Sequence, residues 1–175
     1  MGVDIHMSLV RDDGILLIPD LYDGRNYEWF DNLQQRGDNE LYDELPIKCG
    51  IPENVPPYIL EDYNSGDYYE FHYLQSQEYI LWFNKYRPDI DAGWVTTYDK
   101  WRYENKGEIP ELCHYLPTDA NLHDMQFIEV QNPYNVDSYI ITIISNWWET
   151  HKYMITGENR NDPPHKVYLV YYFDC

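Results

Sequence analysis

The run Lys-Val-Tyr-Leu-Val-Tyr-Tyr-Phe at residues 166–173 restricts the possible folds more than any other segment of this chain. A near-continuous apolar and aromatic stretch of strand length has no polar face to offer water, so it belongs inside a sheet with both faces covered. The natural neighbour is the segment 3–10, a loose alternation of β-branched and long apolar residues that ends near the turn Asp12-Asp13-Gly14. Residues 15–18 then read as a short return strand, which makes an opening hairpin.

Helical spacing accounts for much of the remainder. Asp23 is a plausible N-cap for a short helix reaching about Gln35, with Tyr27, Phe30, Leu33 and Gln34 at helical spacing and Gly37 ending the pattern. Residues 68–86 carry Phe71, Leu74, Leu81 and Trp82 near helical spacing and read as a buried helix closed by Arg87-Pro88. Thr96 followed by Asp99 resembles a capping box and opens a short helix near 98–103. Residues 125–130 read as a strand. Val136, Ile140, Ile143, Ile144, Trp147, His151 and Met154 recur at three and four, which predicts a helix ending at Gly157, with a strand over residues 139–144 as the alternative its β-branched content leaves open. Between them, residues 38–67 hold Pro46, Pro52, Pro56 and Pro57 among Asn, Asp and Gly, and read as a long acidic loop or insertion. The expected class is α+β, a mainly antiparallel sheet with packed helices, in a single domain over residues 1–175.

Charge narrows the function classes. The formal net charge is −19, with 31 Asp and Glu against 12 Lys and Arg. Strong acidity with few aromatics marks unfolded segments, but 17% of these residues are aromatic, 19 of them tyrosines, so the chain folds and carries a negative surface. Such a surface repels nucleic acid and anionic membranes and attracts basic or nucleic-acid-binding proteins. Tyrosine among carboxylates makes a good protein-binding surface, since rigid rings supply area and charge steers association. The candidate contact residues are Asp38, Glu40, Tyr42, Asp43, Glu44, Glu61, Asp62 and Asp67, with Tyr58 and Tyr63 beside them. A solvated face that merely aids solubility is the competing reading.

Cys49, Cys113 and Cys175 form no CxxC pair and leave an odd count, which fits reduced thiols in a cytoplasm. There is no basic segment followed by an apolar core at the start, and no apolar run of about 20 residues, so neither export nor a membrane span is expected. No nucleophile elbow, P-loop, dinucleotide fingerprint or kinase signature occurs, and no cofactor is implied.

Two short runs could carry chemistry. Asp4 and His6 stand two apart on the first strand and so share a face; they could pair structurally, or with Asp174 begin a metal-assisted hydrolase site. Arg25 and Asn26 open a helix whose backbone N–H groups could hold a phosphate, as a sponge for a small nucleotide signal would. The alternative is that Arg25 pairs with a nearby acid such as Asp4 or Asp174.

The start Met1-Gly2-Val3-Asp4-Ile5-His6, the run Tyr22-Asp23-Gly24-Arg25-Asn26-Tyr27-Glu28-Trp29-Phe30, the block Gly93-Trp94-Val95-Thr96 and the ending Val167-Tyr168-Leu169-Val170-Tyr171-Tyr172-Phe173-Asp174 together resemble a family of small uncharacterised bacteriophage and prophage proteins. Its members open with Met-Gly-Cys-Asp-Ile-His and end in an apolar strand closed by Phe-Asp. Val3 stands where the family commonly has Cys, and Asp89-Ile90-Asp91-Ala92-Gly93 replaces a His- and Ser-rich stretch, so a metal site built on those positions is absent or altered here. The resemblance implies a phage-type accessory protein and supplies no activity. Taken with the charge, it leads to the expectation of a non-enzymatic acidic protein that inhibits a host defence or nucleic-acid-binding factor in the host cytoplasm, with mimicry of nucleic-acid charge as the expected means. The nucleotide sponge and the metal-assisted hydrolase are the alternatives.

Overall fold

The computed structural model describes residues 3–34, 40–116, 118, 122–157, 159 and 161–174. In chain order the elements are β1 (Asp4–Arg11), β2 (Leu16–Gly24), α1 (Tyr27–Leu33), a 3-10 turn (Glu40–Glu44), β3 (Lys48–Cys49), α2 (Pro57–Ser65), β4 (Tyr69–Gln75), α3 (Ser76–Tyr86), β5 (Ile90–Thr96), α4 (Thr97–Lys106), β6 (Met125–Gln131), α5 (Val136–His151) and β7 (Val167–Asp174). Short 3-10 turns also span Leu122–Asp124 and Lys152–Met154. The class is α+β with antiparallel pairing throughout. The contacts group the chain into two compact units, Met1–Tyr86 with Tyr139–Cys175, and Arg87–Ser138.

The first unit is built on a five-stranded sheet in the order β2-β1-β7-β4-β3. As its apolar sequence requires, β7 lies at the centre: it pairs with β1 from Asp4↔Asp174 to Arg11↔Val167, and with β4 on its other side. Six of its eight residues are buried. One face of the sheet buries Val10, Phe71, Val170 and Tyr172 under Ile59 of α2, with Tyr58, Val55 and Ile51 around them. On the opposite face Phe30 of α1 meets Phe173 edge-on at 4.7 Å, and the Tyr171 hydroxyl donates to the Leu33 carbonyl at 3.2 Å. In α5, Ile140 and Ile144 are fully buried, as the spacing predicts.

Several expectations are corrected. The stretch 38–67 is not a continuous loop. Pro57 occupies the first turn of α2, where a missing N–H costs nothing, and Gly66 closes that helix at φ 78. Residues 68–86 are not one helix. Pairing with β7 makes 69–75 a strand, and Leu81, expected inside, is exposed while Tyr79, Trp82 and Phe83 are buried. A bulge with Glu70 at φ 52 resets the alternation, so that Tyr68, Phe71 and Tyr73 all join the α2 side. Asp23 does not cap α1: β2 runs on to Gly24, and Asn26 is the N-cap, its side chain accepting from the Trp29 N–H at 2.9 Å. Gly37, expected to end this helix, lies outside the described residues. Helix α5 stops at His151, short of Gly157.

The second unit pairs β5 with β6 from Ile90↔Gln131 to Thr96↔Met125, and Trp94 exchanges two backbone hydrogen bonds with Cys113. Thr96 caps α4 as its spacing predicts: its hydroxyl oxygen accepts the Asp99 N–H at 3.0 Å. Asp89 is buried and receives Nε and Nη2 of Arg87, each at 2.8 Å, and Nε2 of Gln131 at 2.9 Å. No helix among the described residues is long and apolar enough to cross a membrane.

Candidate functional site

Strand register brings acids from distant parts of the sequence to one corner of the five-stranded sheet. Asp4 pairs with Asp174 across β1 and β7, and His6 faces Tyr172 on one side and Asp23 on the other. The His6 ring lies between two carboxylates, Nδ1 at 3.2 Å from Asp23 and Nε2 at 3.2 Å from Asp174. It stacks on Tyr172 with centroids 5.3 Å apart and meets the Tyr68 ring nearly perpendicularly at 5.6 Å. This packing fixes the imidazole plane.

The tyrosines tie α2 to this corner. Tyr172 donates its hydroxyl to Asp62 at 2.7 Å, and Tyr58 shares a 2.9 Å hydrogen bond with Ser8. Burial pushes the Tyr172 phenol up, and the Asp62 carboxylate pushes it further. Tyr68 is raised chiefly by Asp62, then by burial, then by Asp174, Asp67 and Asp23. Tyr58 is raised by burial first, with Asp20 and Asp62 adding to it. Five carboxylates, from β2, α2, the turn after α2, and β7, therefore bear on three neighbouring phenols. Among the described residues none of the five forms an ion pair with a lysine or arginine.

The expected contact residues divide between two anchors. Glu61 and Asp67 are exposed on and after α2, and Asp62 is half-buried at the corner. Glu40, Asp43 and Glu44 are exposed on the 3-10 turn, but Tyr42 is corrected from contact residue to core: it is 3% exposed and its ring lies 4.8 Å from that of Trp82. The indole N–H of Trp82 donates to the Leu41 carbonyl at 2.7 Å and holds that turn in place. Asp38 lies outside the described residues. Asp20, Asp23, Asp174, Tyr68 and Tyr172 join the site without having been picked out as contacts. Their signal was the strand register, which charge counting does not use.

Arg25 and Asn26 are both engaged locally. Arg25 donates from Nε to Asp4 at 2.5 Å and from Nη2 to the other carboxylate oxygen at 3.3 Å, which holds the Asp4 carboxyl below its usual range. Asn26 is spent on the helix cap, and α1 has only seven residues. Asp4 thus turns to Arg25 while His6 turns to Asp23 and Asp174. Among the described residues no group of three or more His, Cys, Asp or Glu is arranged to hold a metal ion. Cys49 and Cys113 are free, exposed thiols.

What this corner can do chemically is present fixed negative charge beside rigid aromatic area. Comparison with models of known protein families, with curated proteins and with solved structures finds no match for this chain.

Proposed function

We propose that this protein is a phage-type acidic binding protein that inhibits a host defence or nucleic-acid-binding protein, docking the corner around His6 onto that protein's basic site. The observation that carries the reading is the set Asp20, Asp23, Asp62, Asp67 and Asp174 gathered around Tyr58, Tyr68 and Tyr172 with no lysine or arginine ion pair among the described residues. A folded domain leaves such charge unmatched at a cost in self-repulsion, and a cationic partner relieves it. The carboxylates act as phosphate substitutes, the tyrosines as contact area. The resemblance of the sequence blocks to those of phage and prophage proteins supports this setting, and the proposed place of action is the host cytoplasm.

The test is capture of partners from host lysate by the tagged protein at roughly 0.05 M and 0.5 M salt, an interval over which exposed charge attraction is largely screened. The expected result is a nucleic-acid-binding protein retained at low salt, released by its own nucleic acid, and lost to the variant Asp23→Asn/Asp62→Asn/Asp67→Asn. Retention that this folded variant leaves unchanged, or a partner indifferent to nucleic acid, would sink the proposal.

A further inference from the structure

The same sheet carries a second site, less acidic than the first. A cleft of about 410 Å³ is lined by Asp12, Lys48, Pro52, Glu53, Tyr73, Lys166 and Tyr168, within the size range of roughly 300–1,000 Å³ common to small-ligand sites. Register explains its composition. Lys48 of β3 stands opposite Tyr73 of β4, and Tyr168 of β7 opposite Gln75, so the two rings meet at 84° with centroids 5.6 Å apart. Lys166 is brought alongside because its carbonyl accepts the Asp12 N–H at 2.9 Å.

The lining carries two lysines against two carboxylates, Asp12 and Glu53, so the cleft is formally neutral on a chain of net charge −19. Both oxygens of Asp12 are engaged, one by Nδ1 of His165 at 2.7 Å and one by the Lys166 N–H at 3.0 Å. Among the described residues neither the Lys48 nor the Lys166 ammonium has a carboxylate within ion-pair distance; Lys48 lies 5.8 Å from the centre of the Tyr73 ring. On a chain with 31 acids and 12 lysines and arginines, two unpaired ammonium groups lining one cleft are against the odds.

We propose that this cleft binds a nucleoside monophosphate. Two ammonium groups, one from β3 and one from the residue just before β7, match a phosphate dianion. The edge-to-face pair Tyr73 and Tyr168, with Pro52, gives a rigid wall for a planar ring, and Glu53, also in the lining, offers an acceptor for ribose hydroxyls or an exocyclic amine. The surrounding negative field repels nucleic acid polymers, which would have to lie across it, whereas a small anion inside the cleft meets the two ammonium groups at short range. The site is separate from the corner around His6 and does not depend on the role proposed there.

Calorimetric titration of the whole chain with AMP, GMP, CMP and UMP, and with adenosine and inorganic phosphate as partial ligands, tests this. At least one nucleotide binds with one-to-one stoichiometry, and its nucleoside and inorganic phosphate each bind at least tenfold more weakly. Lys48→Gln/Lys166→Gln, both at exposed positions, weakens nucleotide binding at least tenfold while the thermal melt is retained, whereas Lys152→Gln, outside the cleft, leaves it unchanged. Binding of none of the four nucleotides, inorganic phosphate binding as tightly as the nucleotide, or a folded double lysine variant that binds normally would each overturn the assignment.

Discussion

Arg25 closes on Asp4 as a fork, Nε on one carboxylate oxygen at 2.5 Å and Nη2 on the other at 3.3 Å, so that each neutralises the other beside His6. The guanidinium that a nucleotide would need at the start of α1 is already committed.

Arg25→Ala therefore leaves nucleotide binding intact and lowers the melting temperature only slightly, because the pair is solvent-exposed. Its pH dependence is specific. The folded Asp4 carboxyl is depressed by Arg25, so the stability it contributes is complete above the ordinary carboxylate range and is lost as pH falls through the lowered folded value. The gap in melting temperature between wild type and Arg25→Ala should close in acid and shrink with salt. A gap that persists in acid would show that Arg25 acts by packing.

At alkaline pH the sign reverses. Burial raises the Tyr171 and Tyr172 phenols well above the usual value of about 10. The unfolded chain then releases protons that the folded one retains, so stability is full below that value and falls as pH rises past it. Ultraviolet titration should find these tyrosines ionising only with unfolding, and Tyr172→Phe should make the alkaline fall less steep. Ionisation of all 19 tyrosines in a single step with the fold intact would contradict this.

Gly93→Ala tests the second unit. A Cβ at this position would lie 2.8 Å from the Leu112 Cβ and 3.0 Å from the Cys113 carbonyl oxygen, where the bridge to Trp94 leaves little room to give. Overpacking of this kind costs about 1–3 kcal/mol. Thermal or denaturant unfolding followed by tryptophan fluorescence should show the loss; an unchanged midpoint would mean that the 112–113 segment moves aside easily.

The parts of the fold that local pattern specifies were legible in the sequence. The apolar run at 167–173 gave a central strand, Thr96 and Asp99 gave a helix start, and Ile140 and Ile144 gave a buried helical face. What the sequence concealed depends on pairing between distant segments. The helical spacing of Phe71, Leu74 and Leu81 was overridden once β7 offered 69–75 a partner. Strand β5 went unread because Gly93 interrupts it. The corner around His6 was harder still. The hairpin opens in the register Val10↔Leu16, which if regular would set Asp20 opposite His6, but two irregularities shift the pairing until Asp23 stands there. Asp20, at φ 46, lies in this disturbed stretch. Acidic residues could be counted along the chain, but which of them converge was fixed by bulges that leave no clear mark in composition.

The central position of β7 also sets an order of assembly. Among the described residues strands β1 and β4 meet no other partner that would join them; each borders β7, and β7 is separated from β1 by more than 150 residues of chain. On a translating ribosome the opening hairpin therefore waits with one edge bare until residues 167–174 emerge, while residues 87–138 already hold every strand of their own small sheet. Contacts of such long range slow folding. A message cut short before residue 167 would yield a chain whose larger unit cannot close, with its acidic hairpin left for the cell's proteases.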